Sequence, residues 1–205
     1  MKKVIVFMAI LMVALQVQCS SDKKVNNERK INVETVKDAS SWAKKKIPGI
    51  VIKESEGKGE AGEYYINYIR NLSDIDIGSF GYQHKYSKRK YLFLNIECRD
   101  AKINCTNPSI ISPFIDSFLN ALDFHAVSYQ DTPQDIVNFV IKEAKDCLKN
   151  NEISCSKENI PLGIPKLSKE QKPDYRMSLL IKKHCTSLNV CNELQYIRME
   201  VATAL

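Results

Sequence analysis

The sequence predicts an α+β fold in which a helix packs on an antiparallel sheet, the whole stapled by disulfides. Three observations predict it. Apolar residues recur every three to four positions over Asn32 to Ile47 and again over Ile136 to Leu148, which is the helical period. Shorter stretches such as "YYINYIR" and "KYLFLNIEC" alternate or concentrate β-branched and aromatic residues, which is the strand signal. Six cysteines beyond residue 20 fall into three close pairs.

The chain opens with Lys2 and Lys3, then twelve uncharged residues, Val4 to Leu15, then a polar zone. That order is the pattern of a secretory signal peptide, assigned here to residues 1–19. The apolar run is too short to span a bilayer, which takes roughly 20 residues. Cys19 leaves the fold either with the cleaved signal or as a lipid-anchored first residue. A lipoprotein signal places leucine three residues before the cysteine and a small residue directly before it. Gln16 and Gln18 stand there, so removal is favoured over acylation. Loss of residues 1–19 takes Lys2 and Lys3 with it and lowers the net charge from +6 to +4. That is mildly basic and short of what a nucleic-acid binder needs.

Residues 20–31 are polar and charged and read as a flexible lead-in. Val33, Val36, Ala39 or Ser40, Ala43 and Ile47 then form the stripe of a helix, with Asn32 as N-cap, Lys44 to Lys46 in the last turn and Pro48-Gly49 as the stop. "GIVIKES" reads as a strand, "EGKGEAGE" as a glycine-bearing turn and "YYINYIR" as the returning strand. "SDIDIGSFGYQHKYSKRK" reads as a long loop, and Lys90 to Cys98 as a strong strand. Residues 109–124 have helical spacing, with Pro113 arguing for a late start. In the next helix Thr132 is the cap, Pro133 the first helical residue and Asp135 the capping-box partner. Residues 157–174 read as a loop, and "DYRMSLLIKKHC" and "NELQYIRMEVATAL" as two closing strands.

An even number of cysteines in an exported chain points to disulfides. With six, seven and five residues between partners, the expected pairs are Cys98–Cys105, Cys147–Cys155 and Cys185–Cys191. No CxxC spacing suggests a metal, no cofactor motif is present, and the signatures of hydrolase elbows, phosphate loops and zinc proteases are missing. The expectation is a non-enzyme with no catalytic residues. "HKYSKRK", His84 to Lys90, is the densest basic patch and reads first as a solvated hairpin end. Trp42 is expected to pack against a sheet edge. Asn71 and Asn104 head N-glycosylation sequons, whereas Asn107 is followed by proline.

The stretch "IVIKESEGKGEAGEYYINYIR", preceded by helix 32–47, is similar to the central hairpin of cystatins, the secreted cysteine-protease inhibitors. There a helix leads to a strand, a QxVxG turn and a second strand. Here Lys58 stands in the place of glutamine and Glu60 in the place of valine. The Pro-Trp pair of the family's second binding loop has no counterpart in "NIECRDAKINC". The resemblance covers residues 32–105; the chain reads as a first α+β unit over residues 32–128 and a second over residues 129–205, and tandem cystatin-like units would suit that repeat. The resemblance also implies a protease-binding turn made of Lys58, Gly59, Glu60, Ala61 and Gly62. The leading expectation is therefore a secreted, extracellular protein-binding module, in its concrete form an inhibitor of a papain-like cysteine protease. The alternatives are a bacterial surface lipoprotein acylated on Cys19 that binds a host or envelope partner, and a secreted toxin, venom or salivary component acting on membranes through its basic segments.

Overall fold

The computed structural model describes residues 31–60, 62–85, 89–122, 132–160, 175–186 and 190–203. The readings of residues 1–30 as signal peptide and lead-in, and both fates of Cys19, lie outside the described residues. Ile31, the last residue of the expected lead-in, is buried.

Helix α1 (Val33–Lys46) begins where its capping residue predicts. Asn32 accepts a hydrogen bond from the Thr35 amide, and the Thr35 hydroxyl accepts one from the Asn32 amide. This reciprocal cap satisfies two amides that a helix start leaves unpaired. Val36, Ala39, Ser40 and Ala43 form its buried stripe. Trp42 is the exception to the sequence reading. It does not lie against the sheet but is 40% exposed, one face covered by Lys45 Nζ at 5.1 Å from the ring centre.

Four strands follow as an antiparallel meander: β1 (Val51–Gly59), β2 (Gly62–Arg70), β3 (Asp76–Lys85) and β4 (Lys90–Glu97). The turn expected over "EGKGEAGE" is much shorter, because Gly59 already pairs with Gly62. The segment expected as a long loop is largely β3. Its Gly78 and Gly81 look like loop residues, yet each sits in the middle of a sheet and leaves room for an aromatic ring. A Cβ on Gly78 would lie 3.0 Å from the Phe114 ring on one face; one on Gly81 would collide with the Phe93 ring on the other. Small residues with side-chain neighbours on both faces are a packing device that a propensity scale reads as a break.

Helix α2 (Pro108–Ala121) starts earlier than Pro113 suggested. Asn107 caps it by accepting from the Ser109 amide, and Pro108 takes the first helical position, where no amide is needed. Pro113 costs only the bond to the exposed Ser109 carbonyl, which water can satisfy. Helix α3 (Pro133–Lys149) has the expected box, with Thr132 and Asp135 bonding reciprocally. The hydroxyl and amide of Thr132 hold the Asp135 carboxyl below its ordinary value. A depressed acid pKa contributes stability that is present above the unfolded value and is lost as pH falls through the folded value. The cap should therefore weaken as pH falls through the lowered Asp135 value, and an Asp135→Asn variant should lack that component of the acid transition followed by far-UV circular dichroism.

Strands β5 (Ser154–Ile160), β6 (Tyr175–His184) and β7 (Glu193–Thr203) complete one seven-stranded antiparallel sheet in the order β1-β2-β3-β4-β7-β6-β5. The first residues of the expected 157–174 loop thus belong to β5, and residues 161–174 lie outside the described residues. Directly opposed residues face the same side, so Asn67, Phe80, Leu94, Met199 and Leu179 form one row across the buried face. All three helices cover that face: α1 over β2 and β3, α2 over β4, α3 over β6 and β7. A helix followed by strands occurs on either side of the β4–β7 junction, and the two halves share one sheet and one apolar core.

The three disulfides join the expected partners. Each closes a loop of six to eight residues in sequence separation, which in the chain-entropy model contributes about 2–3 kcal/mol. Cys98–Cys105 is buried at the end of β4. A register shift between β6 and β7 leaves Gln195 outside the ladder, and its carbonyl accepts from the amides of Cys98 and Arg99. The bulge thereby anchors the first disulfide loop.

Candidate binding edge

Strand direction decides which turns share an end of the sheet. The β1–β2 turn lies at one end because Gly59 opposes Gly62, and Gly62 opposes Lys85 in β3. The β3–β4 connection therefore stands beside it, with His84 opposite Lys90. Gly62 fixes this juxtaposition. Its φ of 123° lies in a region that only glycine occupies readily, and a Cβ there would collide with the His84 carbonyl oxygen and sit 2.9 Å from Lys85 Cα. Two hairpin tips can lie this close only without that side chain.

Of the five turn residues singled out in the sequence, Lys58, Gly59, Glu60 and Gly62 are brought together at this edge, and Ala61 lies outside the described residues. Lys58 is 65% exposed and 3.6 Å from Glu63, so the tip is charged and solvated, not apolar. The segment that stands in the place of the cystatins' second binding loop is not the neighbour of this turn. "NIECRDAKINC" lies at the opposite end of the sheet, past the end of β4. The basic segment His84 to Lys90 is the true neighbour, with residues 86–88 outside the described residues. Sequence order alone does not show which ends of strands coincide. Lys85 lies over the Tyr91 ring at 4.3 Å, and its amide bonds the Arg89 carbonyl at 3.0 Å. The edge thus presents Lys58, Lys85, Arg89 and Lys90 against Glu60 and Glu63.

The open face of the sheet carries a second group of residues that the sequence did not single out. Tyr64, Tyr68, Tyr91 and Tyr196 are half-buried there, around a buried Phe93. Cations cover several of the rings: Arg198 over Phe93 at 4.1 Å and Lys182 over Tyr196 at 5.9 Å. These contacts take up ring faces that a stacking ligand would need, so the face is largely satisfied within the chain. The alternation in each strand signals outward aromatics, but only strand pairing gathers them.

At the far end of the sheet lies a shallow cleft of about 520 Å³ lined by Arg99, Lys102, Ile103, Leu148, Glu193 and Leu194, beside Asn104. His84 and His184 mark opposite ends of the sheet, and His125 lies outside the described residues. Among the described residues there is no grouping of three histidines, cysteines or acids fit to hold a metal, and no helix long and apolar enough to cross a membrane.

Comparison with protein families, with curated proteins and with solved structures found no match.

Proposed function

We propose that the chain is an exported protein-binding module of two cystatin-like units that docks through the hairpin edge, with inhibition of a papain-like cysteine protease as its concrete form. The observation that carries this reading is Gly62. It permits the β1–β2 turn to lie against the end of β3 at one end of the sheet, where two such edges together would make the wedge that an inhibitor inserts into a protease cleft. The sheet and the disulfides hold the wedge before binding, which lowers the ordering cost of association. The tip charges differ from an apolar wedge and must be desolvated on docking, so an acidic-lined cleft suits them best. Binding is the reading proposed: six cysteines are committed to disulfides and so are not available as nucleophiles. The disulfides are compatible with an extracellular location.

Titration of the purified mature protein against papain-like proteases tests the reading. Inhibition at low micromolar concentration or below, relieved by salt, is the expected result. Undiminished protease activity at high micromolar protein across several such enzymes would sink the protease form.

A further inference from the structure

We propose that the chain carries N-linked glycans on Asn71 and Asn104, both projecting from the end of the sheet opposite the hairpin tips. The proposal rests on the reading of the chain as exported, here through a eukaryotic secretory pathway. Three asparagines are followed two residues later by serine or threonine, and the structure separates them. Asn107 is the N-cap of α2 and is followed by Pro108, which excludes it.

Asn71 and Asn104 are different. Each sits in a turn outside regular structure, and in each the side chain is held through its oxygen and not its nitrogen. Asn71 Oδ1 accepts from the amides of Ser73 at 2.9 Å and Ile75 at 3.0 Å. Asn104 Oδ1 accepts from the Thr106 amide at 3.1 Å and the Thr106 hydroxyl at 2.8 Å. Among the described residues neither amide nitrogen donates a hydrogen bond. The nitrogen is the atom that takes the sugar, while the oxygen keeps its acceptor role after the reaction. Neither turn therefore has to break to accommodate a glycan. In the transfer, the amide nitrogen forms a bond to the anomeric carbon of a lipid diphosphate-linked oligosaccharide. The bond from that carbon to the diphosphate oxygen breaks, the amide loses one proton, and the lipid diphosphate leaves.

Placement adds a consequence. Asn71 follows the end of β2, and Asn104 lies in the loop past the end of β4, at the same end of the sheet. β2 has nine residues, so about 30 Å of strand separates Asn71 from the hairpin tip. The two sites also differ in timing. Cys105, the middle residue of the second sequon, is 2% exposed once bonded to Cys98. Closure of that short loop competes with sugar transfer at Asn104, and no disulfide encloses Asn71.

The test is secretion of the full chain from a eukaryotic host, with intact mass measured before and after peptide N-glycosidase. Two glycans are expected, with fuller occupancy at Asn71. Asn71→Gln and Ser73→Ala should each abolish the first, and Asn104→Gln and Thr106→Ala the second. The paired variants separate loss of the acceptor from any folding defect. A pulse of membrane-permeant thiol during synthesis should raise occupancy at Asn104 and leave Asn71 unchanged. A chain secreted at its unmodified mass overturns the glycan proposal and leaves export standing. A chain retained in the cytosol without sugar overturns both.

Discussion

Replacing Lys183 with methionine is expected to destabilise the fold by about 1–3 kcal/mol, the cost of removing a buried donor from its carbonyl partners. Lys183 is 1% exposed, among the most buried side chains of the protein. Its ammonium has three protons and three acceptors: the Cys147 carbonyl at 3.1 Å, the Asn150 carbonyl at 2.7 Å and the Asn150 side-chain oxygen at 3.3 Å. These atoms lie at the C-terminus of α3, where carbonyls lack helical partners and the helix dipole is negative. The lysine thus replaces water at a helix end that the sheet has covered. Methionine fills the same volume but removes all three hydrogen bonds; the Cys147 carbonyl keeps the Asn150 amide at 3.3 Å and the Asn150 side-chain oxygen the Glu152 amide at 3.1 Å. Urea unfolding should show a lower midpoint with an unchanged slope. Lys182→Met is the control. Lys182 points to the open face above Tyr196, and its loss should cost no more than about 1 kcal/mol. Equal stability of the two variants would show that the buried contacts contribute nothing.

Gly62→Ala is expected to separate the hairpin tips and weaken any binding at that edge at least tenfold. The added methyl must displace the His84 carbonyl, which belongs to the β3 backbone and cannot rotate away. Alanine is also strained at a φ of 123°. Strain of this kind costs about 1–3 kcal/mol, and the sheet end relieves it by fraying. Gly59→Ala provides the contrast three positions away. A Cβ there meets nothing within 4 Å, so folding stability and exchange protection should be unchanged. Amide hydrogen exchange of β2 and β3 reads the fraying directly, and protease inhibition reads its effect on docking. Unaltered inhibition by Gly62→Ala, alongside lost exchange protection, would remove the hairpin edge from the binding surface.

The misreadings share one cause. β3 was taken for a loop because Gly78 and Gly81 punctuate it, yet those glycines make room for Phe114 and Phe93, which are distant in sequence. Which loop stands beside the β1–β2 turn could not be read from the sequence, because adjacency at a sheet end depends on strand direction, not on sequence distance. In β6 the alternation of Met177, Leu179 and Ile181 already sends Lys183 inward. What the sequence did not show was the helix end waiting there for it.

What the sequence determined by itself was local. Caps at Asn32 and Thr132, helical stripes, strand periods and the partners of three short disulfide loops all depend on residues within a few positions of one another. Tertiary structure decided the rest: the merging of two halves into one sheet through β4 and β7, the hydrogen bonds from Lys183 to the end of α3, and the meeting of the β1–β2 turn with the end of β3 across Gly62. These depend on chain direction and on contacts between residues tens of positions apart, and no pattern within a single segment encodes them.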